Sequence, residues 1–200
     1  MDSYTREPKQ QRAIVKKEKI IAAGFKLICE NGYYNTNTAE IAKKAGVSTG
    51  IVYQYFKDKN DILMDGLYNY GDEIFFPILA FDIEKYDIRN FDKDLKTLIE
   101  NQIANHKLSE KAHEEITSMI HTDKNVANYF YNKELEVTEK IKSMLLKNNF
   151  ENDYLTEKVH IIMGLIDNLC HEVTYHKHKN MNYKAMTDII IQCIKNIFKK

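Results

Sequence analysis

The sequence predicts an all-helical protein of about nine helices, on three observations. Only two prolines and seven glycines punctuate 200 residues. Strand-like alternation is scarce, and apolar residues recur at the three-and-four spacing that keeps them on one face of a helix. Hydrophobic residues at 44% and charged residues at 29% are ordinary for a globular chain long enough to bury a real core.

Pro8 is suited to open a first helix over roughly 9–31, whose apolar face comprises Ile20, Ala23, Leu27 and Ile28 and which Gly32 closes. NTAE at 37–40 has the form of a capping box, with Asn37 accepting from the helix start and Glu40 reaching back. The short helix it opens turns Ile41, Ala42 and Ala45 inward and Lys43 and Lys44 outward. Gly46 supplies the left-handed residue for a sharp turn. A second short helix over roughly 48–56 follows, which makes a helix-turn-helix. Asp58 and Asp61 mark the start of the next helix, expected to run to about Pro77. FDIEKYDIRN at 81–90 lacks clean periodicity and reads as a connection. Further helices are expected over roughly 91–107, 109–121, 124–149, 153–178 and 183–199. The expected division is 1–57 for the helix-turn-helix domain and 58–200 for a C-terminal body.

Composition limits the function classes. No apolar run approaches the roughly 18 residues that a membrane span requires. The N-terminus MDSYTREPKQQR lacks the apolar centre of a secretory signal. Cys29, Cys170 and Cys193 are odd in number and widely spaced, which fits reduced thiols in a cytoplasmic protein. The net charge of zero conceals an asymmetry. Residues 1–60 carry 11 Lys+Arg against 6 Asp+Glu and the rest carry 18 against 23, a net +5 and −5. A basic head on an acidic body suggests that the head meets a polyanion.

The segment VSTGIVYQYFKDK at 47–59 carries that expectation furthest. On a wheel of about 100° per residue, Val52 and Phe56 fall on one side, flanked by Ser48 and Tyr55. Thr49, Gly50, Tyr53, Gln54 and Lys57 spread over the other, a face of hydroxyl, phenol, amide and ammonium groups. A major groove fits such a face, because short residues at the helix start let the backbone approach base edges. Gln54 has the donor–acceptor pair that matches adenine, and Thr49 offers a hydroxyl or a methyl. Tyr53, Lys57 and Lys59 are expected at phosphates. Asn37, Thr38 and Ser48 complete the candidate DNA-facing set.

Residues 19–63, KIIAAGFKLICENGYYNTNTAEIAKKAGVSTGIVYQYFKDKNDIL, resemble the DNA-binding region of the tetracycline-repressor (TetR) family. AA before an apolar pair, GYYNT, IAKKAGVS, IVYQYF and the lysine of FKDK carry the resemblance. It implies an all-α homodimer with an N-terminal three-helix DNA-binding domain and a C-terminal ligand-binding and dimerisation domain. It further implies a palindromic DNA operator and, usually, a repressor released by a small-molecule effector. By position, Thr49, Gly50, Tyr53, Gln54, Tyr55 and Lys59 match residues that commonly approach DNA. Gly24 stands where alanine is common and is expected to loosen the first helix by roughly 1 kcal/mol. Ile28, Asn37 and Thr38 also depart from the usual pattern without threatening the fold.

Beyond the matched segment the residues give architecture. Leu155, Val159, Ile162, Ile166, Leu169 and Val173 form one stripe, and Met186, Ile189, Ile190, Cys193, Ile194 and Ile197 another, suited to pairing across a twofold axis. Of these, Val159, Ile162, Ile166, Leu169, Val173, Met186, Ile190, Ile194 and Ile197 are the candidate dimer interface. Phe75, Phe76, Met119, Tyr129, Met163, Asn168 and His171 are candidates for an effector pocket, with core filling as the competing role of the apolar ones. His171, His176 and His178 lack the spacing of a metal site, so no metal and no cofactor are expected. No nucleophile–base pair can be assembled, which argues against an enzyme. A regulator controlled by a protein partner, or by no effector, is the competing reading.

Overall fold

The computed structural model describes residues 11–80, 91–104, 108–150 and 153–198. Among them are nine α-helices and no strand. They are α1 (Gln11–Asn31), α2 (Thr38–Ala45), α3 (Thr49–Tyr55), α4 (Lys59–Phe75), α5 (Phe91–Ala104), α6 (Glu110–Thr122), α7 (Lys124–Lys147), α8 (Leu155–Thr174) and α9 (Tyr183–Ile197). One 3-10 turn, Pro77–Ala80, follows α4. The expected connection at 81–90 lies outside the described residues, as do the ends projected for the first, fifth and last helices. No helix among the described residues is long and apolar enough to cross a membrane.

Two compact units divide the chain, residues 1–75 with 107–131 and residues 76–106 with 132–200, so the division falls within α7. In the first unit α1 packs on α4, α2 and α6, and α2 packs on α3. Ile20, Ile21, Ile41, Ala42, Val52, Phe56 and Ile62 form its core, with Ile51 and Tyr55 packed at the edge. Burial of each large side chain contributes about 1.5–3 kcal/mol. In the second unit α5, α8 and α9 pack together around Ile99, Ile162, Leu169, Ile190 and Ile194. Leu145, Leu155 and Val159 form a smaller cluster beside Met163, Phe150 and Phe198.

Local signals set the boundaries where they were read. Asn37 accepts from Ala39 N and Glu40 N, and Glu40 answers to the Asn37 N–H, so the capping box is complete. Gly46 sits at φ 69° and ends α2. Asp58 accepts from Asn60 N and Asp61 N at 2.8 and 3.1 Å and caps α4.

Two expectations require correction. The eighth helix stops at Thr174 rather than near residue 178. Val173 is its last apolar contact, and the exposed HKHKN that follows has nothing to bury; a hydrogen bond from His178 N to the Tyr183 hydroxyl closes the loop instead. Gly24 does more than weaken a helix. A Cβ there would lie 2.5 Å from Ile62 Cγ2 and 3.3 Å from Ile41 Cδ1, so the residue sets the approach of α1 to α4 and α2. Gly66 on α4 plays the same part against the Phe25 ring, at 2.5 Å.

Gly24→Ala therefore sets a helix gain of roughly 1 kcal/mol against overpacking of roughly 1–3 kcal/mol, because the β-branched Ile62 cannot swing its Cγ2 aside. The expected outcome is a lower midpoint in urea unfolding; an unchanged or raised midpoint contradicts this packing.

Candidate nucleic-acid interface

The exposed face of α3 follows from what the helix buries. Val52 and Phe56 are 0% and 2% exposed and fasten one side to α1, α2 and α4. Tyr53, at 53% exposed, and the exposed Gln54 project from the other side. Ser48 takes the N-cap position but makes no side-chain capping bond, so its hydroxyl is not spent on the helix start. Gly50 is exposed, and a Cβ there would meet nothing nearer than Ser48 Oγ at 4.0 Å, which leaves the backbone of the first turn open to approach. Thr49 is half-buried and Lys57 exposed beyond the helix end.

One contact that spacing could not foretell joins the two short helices. The hydroxyls of Thr38, at the start of α2, and Tyr53, on α3, lie 2.9 Å apart in a hydrogen bond. The pair presents two oxygens together at the surface. Asn37 is adjacent and exposed, with its side chain spent on the cap.

Two of the expected contact residues have other duties. Tyr55 is half-buried and packs against the core of the first unit. Lys59 points inward, and its ammonium donates to the carbonyls of Tyr33 and of Thr36, the latter at 2.7 Å. It also lies 4.0 Å from the Tyr33 ring centroid, a cation–π distance. Burial lowers the Lys59 pKa from its ordinary value, opposed by the field of Glu115. Burial raises that of Tyr33, with Asp58 adding to the effect. The lysine of FKDK thus ties the α1–α2 turn to the first turn of α4, with two of its three donors committed.

The partners of that turn carry no signature in the sequence. Thr36 is 1% exposed and its hydroxyl donates to Gly32 O at 2.9 Å. Gly32 adopts φ 89°, open to glycine at little cost. Glu115 of α6 accepts from Tyr34 N at 2.9 Å. The spacing of 81 residues leaves no local pattern to find.

The effector candidates fall in both units. Phe75, Met119 and Tyr129 belong to the first, and Phe76, Met163, Asn168 and His171 to the second. Phe75 stacks edge-on with Phe130, and Met119 is 5% exposed. Tyr129 is 1% exposed, and its hydroxyl donates to Leu67 O at 3.0 Å. Met163 packs near Leu145 and Val159, with its sulfur 3.6 Å from the Thr138 hydroxyl. Asn168 is exposed, and His171 lies 3.7 Å from Asp167. Among the described residues no three His, Cys, Asp or Glu side chains gather at metal-binding distance.

The stripe assigned to a dimer interface closes within one chain. Val159, Leu169 and Ile194 are 0%, 0% and 1% exposed. Ile162 and Ile190 are buried with them, and Ile166, Val173, Met186 and Ile197 pack at the cluster edge. The opposite faces of the two helices carry Ile161 at 57% and Ile189 at 62% exposed. Gly164, where an added Cβ would meet nothing within 4 Å, and Cys193 are also exposed there.

A family model described as bacterial regulatory proteins, tetR family, matches residues 20–64, from the middle of α1 into α4. That segment is of the TetR type. The TetR-type segment is 52% identical over 54 residues to the HTH-type transcriptional regulator HbdR of Aromatoleum sp. (strain CIB), covering 27% of this chain and 24% of that protein. It is 48% identical over 56 residues to the fatty acid metabolism regulator protein of Bacillus subtilis (strain 168), covering 28% of each. The match therefore spans about a quarter of the length of these curated relatives.

Likeness of fold extends further. A TetR-family transcriptional regulator structure from Mesorhizobium loti superposes with TM-score 0.72 at 18% identity, over 94% of this chain and 97% of that one. A transcriptional regulator from Saccharomonospora viridis, solved in complex with choline, gives TM-score 0.69 at 18% identity, over 93% and 97%. At that identity the two show a shared fold.

Asn37→Ala removes the acceptor of two backbone N–H groups and should cost about 1 kcal/mol. Asn37→Ser should keep most of it. Denaturant unfolding of the three proteins checks the ranking.

Proposed function

We propose that the chain is a sequence-specific DNA-binding transcriptional regulator, acting as a homodimeric repressor on a palindromic operator. The observation that carries this reading is the outward polar face of α3, with Ser48, Gly50, Tyr53 and Gln54 exposed on a helix anchored by Val52 and Phe56. The α3 helix enters the major groove, Gln54 reads a base edge, and Tyr53 with Thr38 meets the backbone, joined by Lys57. The 52% identity of this segment to a named transcriptional regulator supports the same reading. Residues 1–57 carry the recognition elements and residues 58–200 the dimerisation and effector functions.

Dimerisation uses the outer faces of α8 and α9, since their inner stripe is occupied. Ile161 and Ile189 supply apolar area, and Gly164 lets a partner helix approach closely. Release from DNA by a small molecule is supported by the choline complex of a structural neighbour. Such a molecule acts only through a difference in affinity for two states, about 5.5 kcal/mol to carry populations from 1:99 to 99:1. Control by a protein partner is the alternative that a closed C-terminal core would favour.

Selection of random duplexes on the purified protein, followed by footprinting, tests the main reading. The expected product is a two-fold symmetric, salt-sensitive footprint. Gln54→Ala should relax preference at one base pair in each half-site, by about 1–3 kcal/mol, and Tyr53→Ala should weaken all duplexes alike. An unchanged ranking of operators in Gln54→Ala removes that side chain from readout. Ile189→Glu should shift the mass measured by light scattering to that of one chain while helicity by circular dichroism persists. Retention of the larger mass would place the interface elsewhere.

A further inference from the structure

The DNA-binding elements of the first unit are tied to α6, which lies outside the family-matched residues 20–64. Glu115, at mid-helix in α6, has a side chain only 12% exposed. Its Oε2 accepts from Tyr34 N at 2.9 Å. The carboxylate reaches the α1–α2 turn because Gly32 has no Cβ; one built there would lie 2.7 Å from Oε2. From this turn the contacts continue in both directions. The carbonyls of Tyr33 and Thr36 hold the Lys59 ammonium at the start of α4. Thr36 precedes Asn37, the cap of α2, and Thr38 follows it, bonded to Tyr53 on α3. Two further bonds attach the same region to α1 and α4: Ser109 N donates to Cys29 O at 2.9 Å, and Asn60 Nδ2 donates to Asp123 Oδ2 at 3.0 Å.

We infer that Glu115 is a positioning residue for the DNA-binding surface, its carboxylate fixing the Gly32–Thr36 turn that sets where α2 and α3 stand. The inference rests on the DNA-binding reading above. It makes α6, and not only the matched segment, part of what aims α3. A charged acceptor holds a backbone N–H more strongly than a neutral one does, and Glu115 itself is largely buried, so its carboxylate is fixed at the turn.

The sign of the effect separates positioning from charge. Glu115 is acidic, so deleting it on electrostatic grounds alone favours a polyanion and tightens binding to any duplex. Positioning demands the reverse for the selected operator. In the full-length protein, Glu115→Ala should weaken the selected duplex by about tenfold or more, while a scrambled duplex binds as well or better. Glu115→Asp keeps the charge but withdraws it by one methylene, and should also lose specific affinity. Glu115→Gln keeps the reach and an acceptor oxygen, and should retain most of it. Hydrogen exchange read at the Tyr34 amide should quicken in the Ala and Asp variants and change least in Gln, with α9 amides unmoved in all three.

Equal or tighter operator binding by Glu115→Ala overturns the inference. So does the opposite order, with Asp retaining affinity and Gln losing it, or a Tyr34 amide indifferent to all three changes. Should the parent protein bind no duplex, the DNA-binding reading fails and the inference with it, while quickened Tyr34 exchange would still show the turn held by Glu115.

Discussion

The close approach of α1 to α4 is the constraint on which the N-terminal unit depends. Two glycines create it from opposite sides, Gly24 facing Ile62 and Gly66 facing Phe25. With the two helices this near, Ile20 and Ile62 form a floor on which Val52 and Phe56 of α3 are buried. The α3 helix is only seven residues long, too short to be stable alone. Its helicity comes from that floor. What the floor does not cover is the polar side, so the surface offered to a partner is a by-product of where two helix axes cross.

A second layer, made of polar contacts, fixes orientation. Apolar packing tolerates small slides, whereas hydrogen bonds tolerate few. Around the α1–α2 turn the Lys59 ammonium, the Thr36 hydroxyl, the Glu115 carboxylate and the Tyr34 amide all find partners within the unit. The Lys17–Asp65 pair at 2.9 Å adds a bridge between α1 and α4. Both of its side chains are about one-third exposed, so its contribution is of the order of 0–1 kcal/mol.

What could be read from the sequence was local. The Asn37–Glu40 box, the Gly46 turn and the Asp58 cap are each written within four residues, and the helices begin and end there accordingly. The α8 terminus was overrun because histidines and lysines do not forbid a helix; they only fail to bury it. Gly24 was read for propensity, since a sequence does not show the neighbour 38 residues away that a methyl group would strike. Lys59 was placed at a phosphate because its inward partners are backbone carbonyls, which have no signature in side-chain types. Periodicity marked most of the buried face of α8 and α9, although Ile189 and Cys193, grouped with the α9 stripe by spacing, face outward. It could not say whether the covering helix belongs to the same chain, and α5, through Ile99, shares that core.

That self-contained core in α5, α8 and α9 has a consequence for the life of a newly made chain. Ile162, Leu169, Ile190 and Ile194 are sequestered as soon as the three helices meet, before any second copy is encountered. A solitary chain then shows proteases and chaperones little more than Ile161 and Ile189 along this pair of helices. Folding of this core is thereby a unimolecular event, independent of how abundant the protein is.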